Sequence, residues 1–241
     1  MLPRSPISDL PTHAVTNMPP HLGDQDLWLG DVALRECVTR EGAEWAHDQL
    51  ARLGQQVGTA ATFEKAEAAN RYVPELKAFD RYGMRVNQVA FHPAYPDLMD
   101  LAISHKVPNF AWLHEGPGAQ VAHMALTYMF SQAEGGVMCP MAMTYSVIPV
   151  LRANPGAGDD WIPRLLSTSY DRRDIPVTEK SGATIGMFMT EKQGGSDVRA
   201  NSTRAAPIDA ATGEGTAYHL TGHKFFCSAP MCDAFLTLAY T

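Results

Sequence analysis

The sequence predicts an α+β protein: an all-α helical N-terminal domain followed by the start of an antiparallel β-domain. From about Asp31 to Tyr170 the apolar residues recur at helical spacing, and after about Gly182 the period shortens to two in runs rich in strand formers. The alternation of Ala234, Leu236, Leu238 and Tyr240 runs up to Thr241, so the sequence stops inside what reads as a strand. A β-domain of so few strands would keep unpaired edges, and it is expected to be incomplete.

Composition narrows the classes. The 241 residues suit one large domain or two modest ones, and 45% apolar with 19% charged residues excludes disordered and fibrous chains. With 19 Lys and Arg against 26 Asp and Glu the net charge is −7, which argues against nucleic acid as a partner because phosphate binding needs a basic face. No window approaches the ~20 unbroken apolar residues of a membrane helix. Asp9, His13 and prolines occupy the place of a secretory apolar core, so a cytoplasmic location is expected. Cys37, Cys139, Cys227 and Cys232 lack CxxC spacing and read as reduced thiols; with the 9 histidines scattered, no metal site is expected.

The elements follow in order. Residues 1–27, with Pro3, Pro6, Pro11, Pro19 and Pro20, form an extended arm, either loose or laid along a neighbouring surface. Residues 28–182 form the helical domain. Asp31 caps a helix carrying Leu34, Cys37 and Val38, and Ala46, Leu50, Leu53 and Val57 make the next stripe, with Gly54 and Gly58 as its weak points. Further helices are expected over Thr62 to Arg71, around Leu98 to Ile103, over Gln120 to Glu134, over Cys139 to Leu151 and around Trp161 to Ser167. Residues 183–241 are the β-domain, with strands at Ala183 to Met189, Thr216 to Thr221 and from Ala234 onward.

Two constellations bear chemistry. The first runs from Met187 to Asp197 (M-F-M-T-E-K-Q-G-G-S-D). A strand delivers Thr190, and Gly194, Gly195 and Ser196 offer free amides and a hydroxyl suited to an anion such as a pyrophosphate; otherwise the loop is a plain surface turn. The second is Gly222 to Pro230 (G-H-K-F-F-C-S-A-P). It presents either a ring face and a hydroxyl to a planar cofactor or an aromatic strand buried in a sheet, and His223 reads as structural.

The two together resemble the acyl-CoA dehydrogenase superfamily, whose general forms are T-E-x-x-x-G-S-D and K-x-[WF]-x-[ST]. The K-Q-G-G version is similar to the adaptive-response, AidB-like branch. Val38 to Ala43, Val89 to Tyr95, Cys139 to Thr144 and Thr12 to Asn17 support that branch, and the resemblance spans nearly all of the chain. It implies an N-terminal helical domain, a middle β-barrel-like domain and a C-terminal helical bundle that lies beyond Thr241, with FAD bound between the last two, usually in a homotetramer. By position, Met187, Phe188, Met189, Thr190, Gly194, Gly195 and Ser196 would line the flavin. Thr190 would bond the isoalloxazine ring, and Ser196 would sit near the pyrophosphate or pantetheine. Phe226, Cys227 and Ser228 would back the ring, with Ser228 near N5. Phe226 stands where the family commonly has Trp, and Lys192-Gln193 replaces the Pro often found after T-E.

The resemblance implies α,β-dehydrogenation of an acyl-CoA thioester by hydride transfer to FAD. It leaves this chain without a catalytic residue, since the base would lie beyond Thr241. The branch implies weak dehydrogenase activity and DNA binding through the missing C-terminal part. A flavoenzyme portion, a stress-response flavoprotein that protects DNA, and a non-functional fragment are therefore the three readings.

Overall fold

The computed structural model describes residues 9–10, 12–14, 16–19, 22–209, 211–213 and 215–241. Pro3, Pro6, Pro11 and Pro20 of the arm lie outside the described residues. Two short strands, β1 (Asp9–Leu10) and β2 (His13–Ala14), pair antiparallel. The end of the arm lies along the second helix. Gln25 N–H donates to the Gly58 carbonyl and Leu27 N–H to that of Gly54, at 2.8 and 3.2 Å.

Helices α1 (Val32–Arg40), α2 (His47–Val57), α3 (Ala60–Arg71), α4 (Ala94–Ser104), α6 (Ala119–Ala133), α7 (Met138–Arg152) and α8 (Ile162–Leu165) stand where the apolar periods place helices; α5 (Phe110–Leu113) is one turn too short to leave a period. Their ends follow capping chemistry. The Asp31 carboxylate accepts from Leu34 N–H at 2.8 Å, and Thr59 Oγ1 accepts from Thr62 N–H at 3.2 Å. Gly58 is the C-cap at which α2 ends, and both Gly54 and Gly58 are contact points. A Cβ on Gly54 would lie 2.6 Å from the Trp28 nitrogen and one on Gly58 2.2 Å from the Gln25 carbonyl oxygen, so only glycine lets the arm dock.

Between the helices expected over Thr62 to Arg71 and around Leu98 to Ile103, a span for which the sequence suggests no element, the helical domain carries two strands. Strands β3 (Glu75–Phe79) and β4 (Arg85–Ala90) form an antiparallel hairpin around an Asp80–Gly83 turn. Leu76, Phe79, Tyr82, Met84 and Val86 remain exposed, so no buried face imposes the alternation by which a strand is recognised.

The main core joins Leu50, Leu53 and Val57 of α2, Leu98 and Met99 of α4, and Leu126, Met129 and Phe130 of α6. A second, smaller cluster links Val147, Ile148 and Leu151 of α7 to Leu165 and Ile185. The β unit has four strands among the described residues: β5 (Ile185–Phe188), β6 (Arg204–Pro207), β7 (Tyr218–Thr221) and β8 (Ala234–Thr237). β6, for which the sequence suggests no strand, pairs antiparallel with β7, in the sense expected of the domain, whereas β5 and β8 pair parallel, Ile185 opposite Ala234, because the chain between them returns to the strand's starting end. α7 carries this unit: Thr144 Oγ1 accepts from Ile185 N–H at 3.2 Å, and the Met143 sulfur accepts from Met187 N–H at 3.2 Å.

Candidate functional site

β5 delivers the first segment with its backbone set by α7 and β8. Met187, Phe188, Met189 and Thr190 are all half-buried. Phe188 stacks on Phe235 with centroids 3.9 Å apart, an approach open because Gly186, opposite Phe235, has no Cβ. The Phe188 carbonyl accepts from Thr237 Oγ1 at 2.7 Å and the Met189 carbonyl from Asn201 Nδ2 at 2.9 Å.

Beyond Thr190 the chain turns. Glu191 and Gly194 exchange backbone hydrogen bonds of 3.1 and 3.0 Å, which closes the Lys192-Gln193 tip. Gly195 packs under Thr190, where a Cβ would lie 2.7 Å from Thr190 Oγ1; Gly194 has open space around it, and Ser196 is exposed. Among the described residues, the N–H groups of Gly195 and Ser196 and the hydroxyls of Thr190, Ser196 and Ser228 have no protein partner.

The second segment runs against the first. Lys192 N–H donates to the His223 carbonyl at 3.1 Å, and Phe225 N–H donates to the Thr190 carbonyl at 3.0 Å. Two stretches separated in sequence are thus brought edge to edge. The pairing ends at Phe225. Of the two alternatives for this segment the buried aromatic strand is not formed, since only Lys224 makes a bridge, and Phe226, Cys227 and Ser228 run on as irregular chain. Phe226 takes φ +54° and Ala229 φ +55°, and the Phe226 ring is 72% exposed, so it is no buried sheet aromatic. The exposed Lys192 ammonium lies 4.3 Å from the centroid of the Phe225 ring.

Beneath the paired segments lies the Glu191 carboxylate of the first motif. Glu191 is 1% exposed. Its Oε1 accepts from Thr203 N–H (3.0 Å), from the Thr203 hydroxyl and from Lys224 Nζ (3.0 Å). Its Oε2 accepts from Ser202 N–H (2.6 Å), Ser202 Oγ (3.0 Å) and Gln193 Nε2 (2.6 Å). Burial alone would raise this carboxyl's pKa. The donors on Ser202 and Thr203 and the Lys224 ammonium outweigh it and hold the group well below the usual carboxylate range. Gly222 completes the arrangement, since a Cβ there would lie 2.1 Å from Thr203 Oγ1. The only local signal for this hub was the T-E and G-H-K letters of the two motifs.

A second buried pair fixes the unit's entry. Lys180 and Asp233 form an ion pair, and Asp233 Oδ2 accepts from Thr184 N–H at 2.8 Å, which ties the approach to β5 to the start of β8. Nearby, Asp171 accepts two hydrogen bonds from the Arg173 guanidinium, at 2.8 and 2.6 Å, one from Arg173 N–H at 3.2 Å and one from Ser181 N–H at 3.1 Å. The Arg173 guanidinium, then the Ser181 amide, hold its carboxyl far below the ordinary range. Burial pushes the Cys232 thiol up to about 12. Among the described residues all four cysteines are free thiols, no His, Cys, Asp and Glu cluster is suited to a metal ion, and no helix is long and apolar enough to cross a membrane.

The domain family described as "Adaptive response protein AidB N-terminal domain" matches residues 17–172. The chain is 45% identical over 232 residues to "Putative acyl-CoA dehydrogenase AidB" of Escherichia coli (strain K12), covering 95% of this chain and 42% of that protein. It is 31% identical over 193 residues to "Acyl-CoA dehydrogenase family member 11" of Caenorhabditis elegans, covering 79% of this chain and 30% of that one. The chain therefore spans less than half the length of these relatives. Among solved structures, "Bd2924 apo-form" superposes with TM-score 0.77 at 26% identity, over 93% of this chain and 44% of that one. Caenorhabditis elegans ACDH-11, solved in complex with C11-CoA, gives TM-score 0.75 at 26% identity, over 94% and 38%. By domain match, identity and shared architecture, the chain belongs to the acyl-CoA dehydrogenase family, within the group of the adaptive response protein AidB.

Proposed function

We propose that this chain supplies the flavin-facing segments of an FAD-dependent oxidoreductase acting on an acyl-CoA-like thioester. The observation that carries the reading is the edge-to-edge pairing of Thr190–Lys192 with His223–Phe225, which puts both family motifs at one place. The residues fit the cofactor in kind. The unpartnered amides of Gly195 and Ser196 suit a pyrophosphate, the hydroxyls of Thr190 and Ser228 suit the polar edge of an isoalloxazine ring, and the exposed Phe226 ring offers an apolar face. Met187, Phe188 and Met189 set the strand that presents Thr190, and Cys227 lies between Phe226 and Ser228.

FAD, when bound, supplies hydride acceptance from the β-carbon of a thioester whose α-proton a base removes. What this chain's residues do is bind and orient. No residue of it is assigned as that base: Glu191, buried between the motifs, already accepts from six donors. The complex with C11-CoA formed by the Caenorhabditis elegans relative supports a thioester ligand for the same architecture. A homo-oligomer belongs to this reading, and the exposed Leu76, Phe79, Tyr82 and Met84 of the β3–β4 hairpin support it.

The test is the visible spectrum of the chain after incubation with FAD and desalting. Retained flavin absorbance that disappears in Thr190→Val/Ser228→Ala is the expected result. A colourless wild-type chain, or a double variant as yellow as the wild type, overturns the reading.

A further inference from the structure

We propose that Glu191 and Lys224 form a positioning pair: together they lock the two flavin-facing segments against each other, and through their opposite charges they set the reduction potential of the flavin held there. The inference rests on the flavin reading above, and it concerns two residues outside the set matched to the cofactor.

The locking follows from connectivity. Glu191 sits between Thr190 and Lys192, the two residues whose backbone atoms bond Phe225 and His223, and Lys224 sits between those partners. The ion pair therefore lies at the centre of the short two-stranded contact and holds it from the side chains, 3.0 Å from Nζ to Oε1. Of the other five donors Gln193 Nε2 supplies one and Ser202 and Thr203 supply four, so a third stretch of chain is drawn to the same carboxylate. With both oxygens carrying three donors, the group has one conformation available to it.

The tuning follows from burial. The Glu191 side chain is fully shielded and that of Lys224 is 13% exposed, so neither charge is screened as a surface charge would be. As a pair they nearly cancel. Removing one leaves the other bare beside the cofactor. An uncompensated ammonium favours the more negative, reduced flavin, and an uncompensated carboxylate disfavours it. The two single variants are therefore expected to move the potential in opposite directions, which a shared loss of packing does not do. Lys192 is exposed to solvent and present in every variant, so it leaves this difference untouched.

The experiment compares the wild-type chain with Glu191→Gln, Lys224→Met and the double variant. In the cofactor-free proteins, backbone hydrogen exchange over residues 190–196 and 222–228 is expected to quicken about tenfold or more in each single variant, with α6 unchanged. In the flavin-loaded proteins, Glu191→Gln is expected to raise the midpoint potential and Lys224→Met to lower it. Each shift should correspond to about a tenfold change in the ratio of reduced to oxidised affinity, ~30 mV for a two-electron couple, and the double variant should return toward the wild type. Unchanged exchange overturns the locking. Shifts of one sign, or none, overturn the tuning. A wild-type chain that retains no flavin overturns the functional reading and the tuning with it, while the exchange data still decide the locking.

Discussion

The helical half and the β unit are stabilised by different physics. The helical core is a continuous apolar cluster in which Phe130, Leu126, Met129, Leu50 and Leu53 are all fully buried. The β unit shares only a small cluster with α7 and is tied instead by buried charges, Glu191 with Lys224 and Lys180 with Asp233. Apolar packing is non-directional and tolerates repacking. Hydrogen-bonded charges fix direction, and losing one partner leaves the other expensively buried. The region that presents the two family motifs is thus the directionally constrained one.

The comparison is broken most directly at Phe130. Phe130→Ala should cost about 4 kcal/mol through lost transfer energy and a cavity, read as a lower denaturation midpoint by the fluorescence of Trp28, Trp45, Trp112 and Trp161, all in the helical half. A loss below about 1 kcal/mol would mean that this core is not the main store of stability.

Acid should separate the two halves. Burial holds His123 neutral and pushes its pKa from 6.5 down to about 4, and its Nδ1 has no partner among the described residues. Between those values the unfolded chain takes up the proton and the folded one does not, so this contribution is whole above pH 6.5 and is lost as pH falls toward about 4. It amounts to about 3 kcal/mol at most, and His123→Phe, which keeps a ring against Tyr145, should flatten the slope. Asp171 and Glu191 are depressed carboxyls. Their contribution is whole above the ordinary carboxylate range and disappears only as pH falls below it, through their folded pKa values. Fluorescence should therefore respond to mild acid before exchange at Ser202 and Thr203 does. Equal responses of the two probes, or an unchanged slope in His123→Phe, would remove the distinction.

Smaller effects sharpen the picture. Gly182→Ala places a Cβ 1.9 Å from the Ser169 carbonyl oxygen, a backbone clash that no rotamer relieves, and should cost about 2 kcal/mol in thermal unfolding. Asp31→Ala removes the α1 cap and should cost about 1 kcal/mol; a neutral result would show that Leu34 N–H is as well served by water.

What the sequence makes legible is what depends on local period or on short motifs. The long helices declare themselves because one face of each is buried, and the T-E-K-Q-G-G-S-D and G-H-K-F-F-C-S segments stand out by their letters alone. The β3–β4 hairpin does not, because both its faces carry exposed residues. Gly54 and Gly58 read only as weak points of a helix, since what they admit, the chain at Gln25 and Trp28, is distant in sequence. The Glu191 hub stayed hidden for the same reason: its donors on Ser202, Thr203 and Lys224 come together only once the chain has folded. Phe226 was legible as an aromatic of the motif but not as an exposed ring on left-handed backbone, which depends on the pairing stopping at Phe225.

The parallel pairing of β5 with β8 also has a consequence in time. Ile185 must find Ala234, and Thr237 must find the Phe188 carbonyl 49 positions away, before the chain between them is enclosed. Closing such a loop costs entropy ahead of any contact that rewards it, while the turns of α2, α3, α6 and α7 form from neighbours in sequence. Refolding should therefore assemble the helices first and the motif-bearing loop last, so that the newly made chain passes through a stage with a formed scaffold and an unformed site.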